Sequence, residues 1–316
     1  MESWADRVPP AEIELARFFA RWPAQALARS ETLQDLRRNA ESEFAKVALP
    51  EACLIEPVDA PGIRGERILP SGADAHSAIL YHHGGGHVFG SPATHRHLVA
   101  RLAEAAGMAA YNMAYSLAPE RPYPSGVNDA VANYRFVLDQ GVAPERLILA
   151  GDSAGGNLTV AMVLQALEEG LPSPAGVHLI SPWLDLGEKP PRTGYSFERD
   201  PLLDPEALRA WSAAYRCGVE ATHPKISPLY AELAGFPPTL IQVGGAEILL
   251  EDSLVFARNV ALGGGDMQLS VWKHQPHAWP LFHADLPTSG RGAIVQAGLW
   301  IRQIVQSCSM NSDEAP

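Results

Sequence analysis

The chain has 316 residues, 47% hydrophobic and 19% charged, enough to bury a sizeable core in one large or two small domains. A formal net charge of −12 argues against nucleic-acid or anionic-membrane partners. The three cysteines, Cys53, Cys217 and Cys308, are far apart with no C-x-x-C spacing, which gives no basis for a disulfide framework or a thiolate zinc site.

The opening "MESWADRVPP" lacks the basic start and apolar stretch of a secretory signal, and no apolar run reaches ~18 residues. The expectation is a cytoplasmic protein with no membrane span. The first forty-five or so residues read as two helices. In "AEIELARFFARWP", Leu15, Phe18, Phe19 and Trp22 recur at helical spacing until Pro23. Ser30 is then a candidate N-cap, with Leu33, Leu36, Ala40 and Phe44 on one apolar face.

Further along, apolar runs alternate with helical stretches. Strands are expected at 77–83, 108–113, 146–152, 176–182, 239–245 and 268–274, and helices at 94–106, 126–139, 154–168, 251–262 and 291–306. This alternation predicts an α/β fold with a parallel sheet covered on both faces and a site at the carboxyl ends of its strands. Residues 185–237 break the pattern. They are rich in Pro and charge, hold one helix near 204–216, and are too long for a plain connection. They are expected to form an excursion over the site end, a lid shared with the N-terminal helices. The division expected is therefore 1–48 as an N-terminal helical cap segment, 49–184 as the first part of the core, 185–237 as the cap excursion, and 238–316 as the second part of the core.

Strand 146–152 runs into "GDSAGG", which fits G-x-S-x-G with Gly151, Ser153 and Gly155. Between a strand and a helix this pattern makes a sharp turn that lifts the serine side chain clear of the backbone. The helix N-terminus behind it offers free N–H groups to a developing anion. A serine nucleophile needs a base. "HQPHAW" after strand 268–274 supplies His274 and His277, and His277, in the loop beyond the strand, is favoured. The histidine needs an acid, and "GGAEILLEDS" after strand 239–245 offers Glu247, Glu251 and Asp252. The order Ser, acid, His is that of the α/β-hydrolase triad.

"YHHGGGHVFG" (81–90) follows strand 77–83. His82 and His83 are adjacent on an extended chain, His87 lies beyond three glycines, and no carboxylate stands nearby, so no metal site is expected. The glycines leave the Gly85 and Gly86 N–H groups bare toward the serine, with Ala154 N–H as a third donor for an oxyanion. His83 is expected to anchor the loop through a backbone contact.

"HGGG" at 83–86 with "GDSAGG" at 151–156 resembles the signature pair of the hormone-sensitive-lipase group of α/β-hydrolases, which includes many bacterial esterases. "YSLAPERPYPSGVNDA" (115–130), "SPWLDL" (181–186) and "ISPLYAEL" (226–233) extend the similarity over roughly residues 50 to 305, with Ser116 where Arg is usual. The resemblance implies the α/β-hydrolase fold, a mostly parallel central sheet with helices on both faces under a helical cap. It implies a serine carboxylesterase acting without cofactors on small short- to medium-chain acyl esters through an acyl-enzyme. Glu247 is the acid it implies, although the family's acid segment commonly begins "DPLxD" and here reads "EILLE". His87 stands where the family usually has an aromatic residue, which implies a more polar alcohol-side pocket. The cap aromatics Phe18, Trp22, Trp211 and Tyr215 are candidates for the substrate pocket. A lactonase or amidase with the same triad is the nearest alternative, and a non-catalytic small-molecule receptor a more distant one. The oligomeric state is open, a homodimer included.

Overall fold

The computed structural model describes residues 14–15, 32–187 and 200–313; Phe18, Trp22, Ser30 and most of the first expected helix lie outside the described residues. Helix α1 (Leu33–Phe44) buries Leu36, Ala40 and Phe44, as its apolar spacing requires. Its N-cap is Thr32 rather than Ser30: the Thr32 hydroxyl oxygen accepts the Asp35 N–H at 3.1 Å. Arg37 fastens the helix to the core, donating to the carbonyls of Val88 at 2.9 Å and Ala118 at 3.1 Å and pairing with Glu120.

The core is one eight-stranded sheet. A hairpin of β1 (Cys53–Ala60) and β2 (Ile63–Pro70) is followed by β3 (Asp74–His82), β4 (Met108–Met113), β5 (Leu147–Asp152), β6 (Gly176–Ile180), β7 (Thr239–Gly244) and β8 (Met267–Trp272). The spatial order is β1-β2-β4-β3-β5-β6-β7-β8. The β1–β2 and β2–β4 pairs are antiparallel and all the rest parallel. The hairpin was absent from the sequence expectations, and its outer strand alternates half-buried with exposed residues rather than forming an apolar run.

Among the described residues six further helices cross between strands or cover them: α2 (Pro92–Ala106), α3 (Ser125–Asp139), α4 (Ser153–Glu168), α5 (Pro205–Arg216), α6 (Leu250–Leu262) and α7 (Ser289–Asp313). The two-residue period of the strands divides the core. Ile79, Tyr81, Ile148 and Ala150 pack with α2 and α7 on one face. Ala78, Leu80, Leu147 and Leu149 pack with α3, α4 and α6 on the other. Covering both faces removes water from the inner parallel strands β4, β5, β6 and β7, and this is why they read as near-continuous apolar runs, whereas the edge strand β8 stays partly exposed.

Three boundaries differ in ways that bear on the site. β6 stops at Ile180 because Ser181 takes φ +46°, outside strand geometry. β8 stops at Trp272, so His274 lies past the strand in an exposed turn with φ +64°, not at the strand end as expected. α7 continues past 306 to Asp313. Among the described residues no helix is long and apolar enough to cross a membrane.

Candidate active site

β5 ends at Asp152, and Ser153 turns the chain into α4 with φ +53°. A non-glycine residue in this region is held there by its surroundings, at a cost on the order of 1–3 kcal/mol. Gly155 shows what holds it: a Cβ there would collide with the carbonyls of His82 and His83. The first turn of α4 therefore packs directly on the end of β3, and only glycine permits that approach. The Ala154 N–H lies in this first turn, where helix geometry supplies no carbonyl partner.

Asp152, one residue before the serine, is buried and fully engaged. It accepts the Tyr81 hydroxyl at 2.8 Å and the Gly84 N–H at 3.0 Å, with His95 Nε2 at 3.2 Å. Burial alone would raise its pKa, but His95 and these hydrogen bonds outweigh burial and hold the carboxyl below its ordinary value. Asp152 thus ties the serine turn to the glycine loop after β3. His83 holds the same loop as expected, its Nδ1 lying 2.8 Å from the Gly84 carbonyl, and the Tyr115 hydroxyl donates to the His83 carbonyl at 2.7 Å. Among the described residues the Gly85 and Gly86 N–H groups have no hydrogen-bond partner. A Cβ on Gly86, whose φ is +61°, would lie 2.5 Å from the Trp211 ring, so the glycine also makes room for α5 above it.

His277 follows β8 in a buried loop, and its Nδ1 lies 2.7 Å from Glu247 Oε2. A carboxylate only accepts, so Nδ1 carries the proton and Nε2 is left as the basic atom. The other oxygen, Glu247 Oε1, accepts the Ser181 hydroxyl and the Gly244 N–H, both at 2.6 Å. Burial pushes the His277 pKa down. The Glu247 carboxylate, its hydrogen bond, and the charges of Asp200 and Asp152 overcome this and hold it above the ordinary histidine value.

The other two candidate acids stand elsewhere. Glu251 is exposed in the first turn of α6. Asp252 is buried and accepts the N–H groups of Leu184 at 2.8 Å and Asp185 at 3.0 Å.

Ser153, His277, Asp152, Gly85 and Gly86 line one small cavity of about 90 Å³. The rest of its wall is mainly apolar, with Ala40 and Phe44 of α1, Leu202, Leu203, Trp211 of α5 and Phe282, and also holds Thr94, His95 and Asp204. Trp211 is thus at the cavity, whereas His87 and Tyr215 are not part of its wall. Their rings stack on each other, centroids 3.7 Å apart and 8° from parallel, and both residues are buried. Burial drives the His87 pKa down to about 3, so the ring is neutral. The more polar pocket expected from His87 does not arise, because its ring is spent on Tyr215. Among the described residues no three His, Cys, Asp or Glu side chains are placed to hold a metal ion.

Ser181, Asp152 and Asp200 were not singled out from the sequence. Asp152 was open to inference as the second residue of "GDSAGG"; Ser181 and Asp200 act across 66 and 48 residues of chain and leave no local pattern.

Residues 79–281 match the alpha/beta hydrolase fold family. The chain belongs to the α/β-hydrolase fold family, in the group of bacterial hormone-sensitive-lipase esterases. Its curated relatives include a protein named "Acetyl-hydrolase" from Streptomyces hygroscopicus, 42% identical over 75% of this chain and 79% of that one. A second, "Esterase" from Acinetobacter venetianus, is 36% identical over 74% and 77%. Among solved structures, an esterase from the bacterial hormone-sensitive lipase family superposes with a TM-score of 0.86 at 37% identity, covering 93% of this chain and 98% of that one. EstE5, soaked with p-nitrophenyl butyrate, gives 0.87 at 36% identity over 95% and 100%. Within the family the particular activity follows from these relatives: the protein is a carboxylic ester hydrolase.

Proposed function

We propose that the protein hydrolyses short- to medium-chain acyl esters through a Ser153–His277–Glu247 triad and an acyl-enzyme. The observation that carries this reading is the Glu247–His277 hydrogen bond of 2.7 Å, in the same cavity as a serine in strained αL geometry. Ser153 Oγ attacks the ester carbonyl carbon while His277 Nε2 takes its proton. The carbonyl oxygen becomes an anion held by the N–H groups of Gly85, Gly86 and Ala154, each such donor typically being worth ~10²–10³ in rate. Collapse expels the alcohol, which takes the proton from His277. Water, deprotonated by the same nitrogen, then releases the acid and restores the serine. No step needs a metal or cofactor.

The described part of the excursion, with α5, and α1 act as the cap, and the small, mainly apolar cavity favours short acyl groups, in keeping with the relative named as an acetyl-hydrolase. The test is a panel of acyl esters of graded length with several lactones. Turnover highest on acetyl to butyryl esters and lost in Ser153→Ala supports the reading; a lactone preferred over every open ester replaces it.

A further inference from the structure

Asp200 lies on the excursion just before α5, and its carboxylate reaches in two directions. Oδ1 accepts the N–H groups of Leu202 at 2.8 Å and Leu203 at 2.9 Å, and Oδ2 accepts the Ile248 N–H at 2.8 Å. Leu202 and Leu203 belong to the apolar wall of the cavity. Ile248 is the residue after Glu247. One carboxylate therefore spans the apolar wall of the cavity and the turn that carries Glu247, two parts of the site from separate stretches of chain. It is also close enough to His277 for the two charges to interact.

We infer that Asp200 is a positioning residue that fixes the Leu202–Leu203 wall to the Glu247 turn and stabilises the imidazolium of His277. This rests on the reading of Ser153, His277 and Glu247 as the reacting groups. Three N–H donors satisfy the ionised carboxylate, the form that accepts on both oxygens. Burial raises the Asp200 pKa above the ordinary carboxyl value, and His277 together with the three donors opposes that rise. Among the described residues the charges of Glu247 after β7, Asp152 at the end of β5 and Asp200 from the excursion act on His277, and Asp204 and His95 line the same cavity. Asp200 belongs to the covering layer, so through it the ionisation of His277 depends on the seating of that layer.

Two substitutions separate charge from position. Asp200→Asn keeps the shape, removes the charge, and replaces one acceptor oxygen with an amide nitrogen that cannot accept. Asp200→Glu keeps the charge and displaces the oxygens. Displacement on the order of 1 Å at a reacting site costs up to ~10²-fold. Both variants are expected to lose about tenfold or more in kcat on a butyryl ester, and to change the ratio of butyryl to hexanoyl kcat/KM. The acid limb of kcat/KM against pH is expected to move to lower pH in Asp200→Asn and to stay in place in Asp200→Glu. An acid limb that moves equally in both, or wild-type kcat, acyl ratio and acid limb in a folded Asp200→Asn, overturns the proposal. Ser153→Ala measured alongside separates the two levels: if it is inert while Asp200→Asn is wild-type, only the role of Asp200 fails, and if it turns over, the reading of the site fails.

Discussion

The Ser181 hydroxyl donates to Glu247 Oε1 at 2.6 Å and its oxygen accepts the Ala278 N–H at 3.1 Å, so one buried serine braces both Glu247 and the residue after His277. Its φ of +46° points the side chain between the two loops. Ser181→Ala leaves the Ala278 N–H without its partner and takes from the buried Glu247 Oε1 one of its two donors, the Gly244 N–H remaining. A cost of about 1–3 kcal/mol in stability is expected, with a fall in kcat larger than any change in KM. Chemical denaturation and steady-state kinetics check both; unchanged kcat would mean that Gly244 alone orients Glu247.

As the proposed base His277 must be neutral to accept the serine proton, and its pKa is held above the ordinary histidine value. The acid limb of kcat/KM is therefore expected above pH ~6.5. Glu247→Gln removes the charge that raises it most. Residual activity in that variant should show an acid limb at lower pH, and kcat reduced by up to ~10⁴, as when a triad acid becomes an amide that selects the wrong tautomer. Glu251→Gln and Asp252→Asn should keep the wild-type limb. A Glu247→Gln profile matching wild type contradicts the assignment of the acid.

Stability should fall in mild acid. Burial pushes the pKa of His82, His83, His87 and His97 down to about 3, and that of His178 and His283 to about 4. In the unfolded chain each titrates near ~6.5, so the unfolded state binds protons that the fold excludes. Their contribution is complete above ~6.5 and is lost as pH falls toward the folded values, at up to ~1.4 kcal/mol per pH unit for each. His277, with its raised pKa, acts oppositely: it favours the fold below ~6.5 and loses that contribution as pH rises through its folded value. Six groups outweigh one. Thermal melts should show Tm falling from pH 6.5 to 5, and a constant Tm over that range contradicts the burial of neutral imidazoles.

Trp211 closes the cavity over Gly86. Replacing it with Ala opens room beside an apolar wall, where each added methylene is worth about 1–3 kcal/mol of discrimination. The ratio of octanoyl to butyryl kcat/KM should rise by roughly tenfold or more. A ratio unchanged from wild type would place the acyl chain elsewhere.

The sequence made some parts of this site legible and hid others for a physical reason. Parallel strands buried on both faces leave unbroken apolar runs, and the residue types just past such runs are few. Ser153 could therefore be proposed from the end of β5, and the end of β7 offered three carboxylates among which the family resemblance singled out Glu247; His277 came from the loop after the partly exposed edge strand β8. The β1–β2 hairpin escaped because its outer strand is half solvated and carries Glu56, Pro57 and Asp59 among its apolar residues. Ser181 was visible only as part of a matching segment, since its role depends on a backbone angle and on partners far along the chain. His87 was legible as a departure from the family pattern, but its stacking on Tyr215 depends on where α5 lies, which no local spacing encodes.

The central claim, that Ser153 carries the acyl group, is tested most directly by intact and peptide mass spectrometry after reaction with a p-nitrophenyl alkylphosphonate. The account predicts one phosphonyl adduct on Ser153, formed in step with loss of esterase activity, and neither adduct nor activity in Ser153→Ala. An adduct at another residue that abolishes turnover, or hydrolysis of a butyryl ester by Ser153→Ala at a rate near wild type, would contradict it.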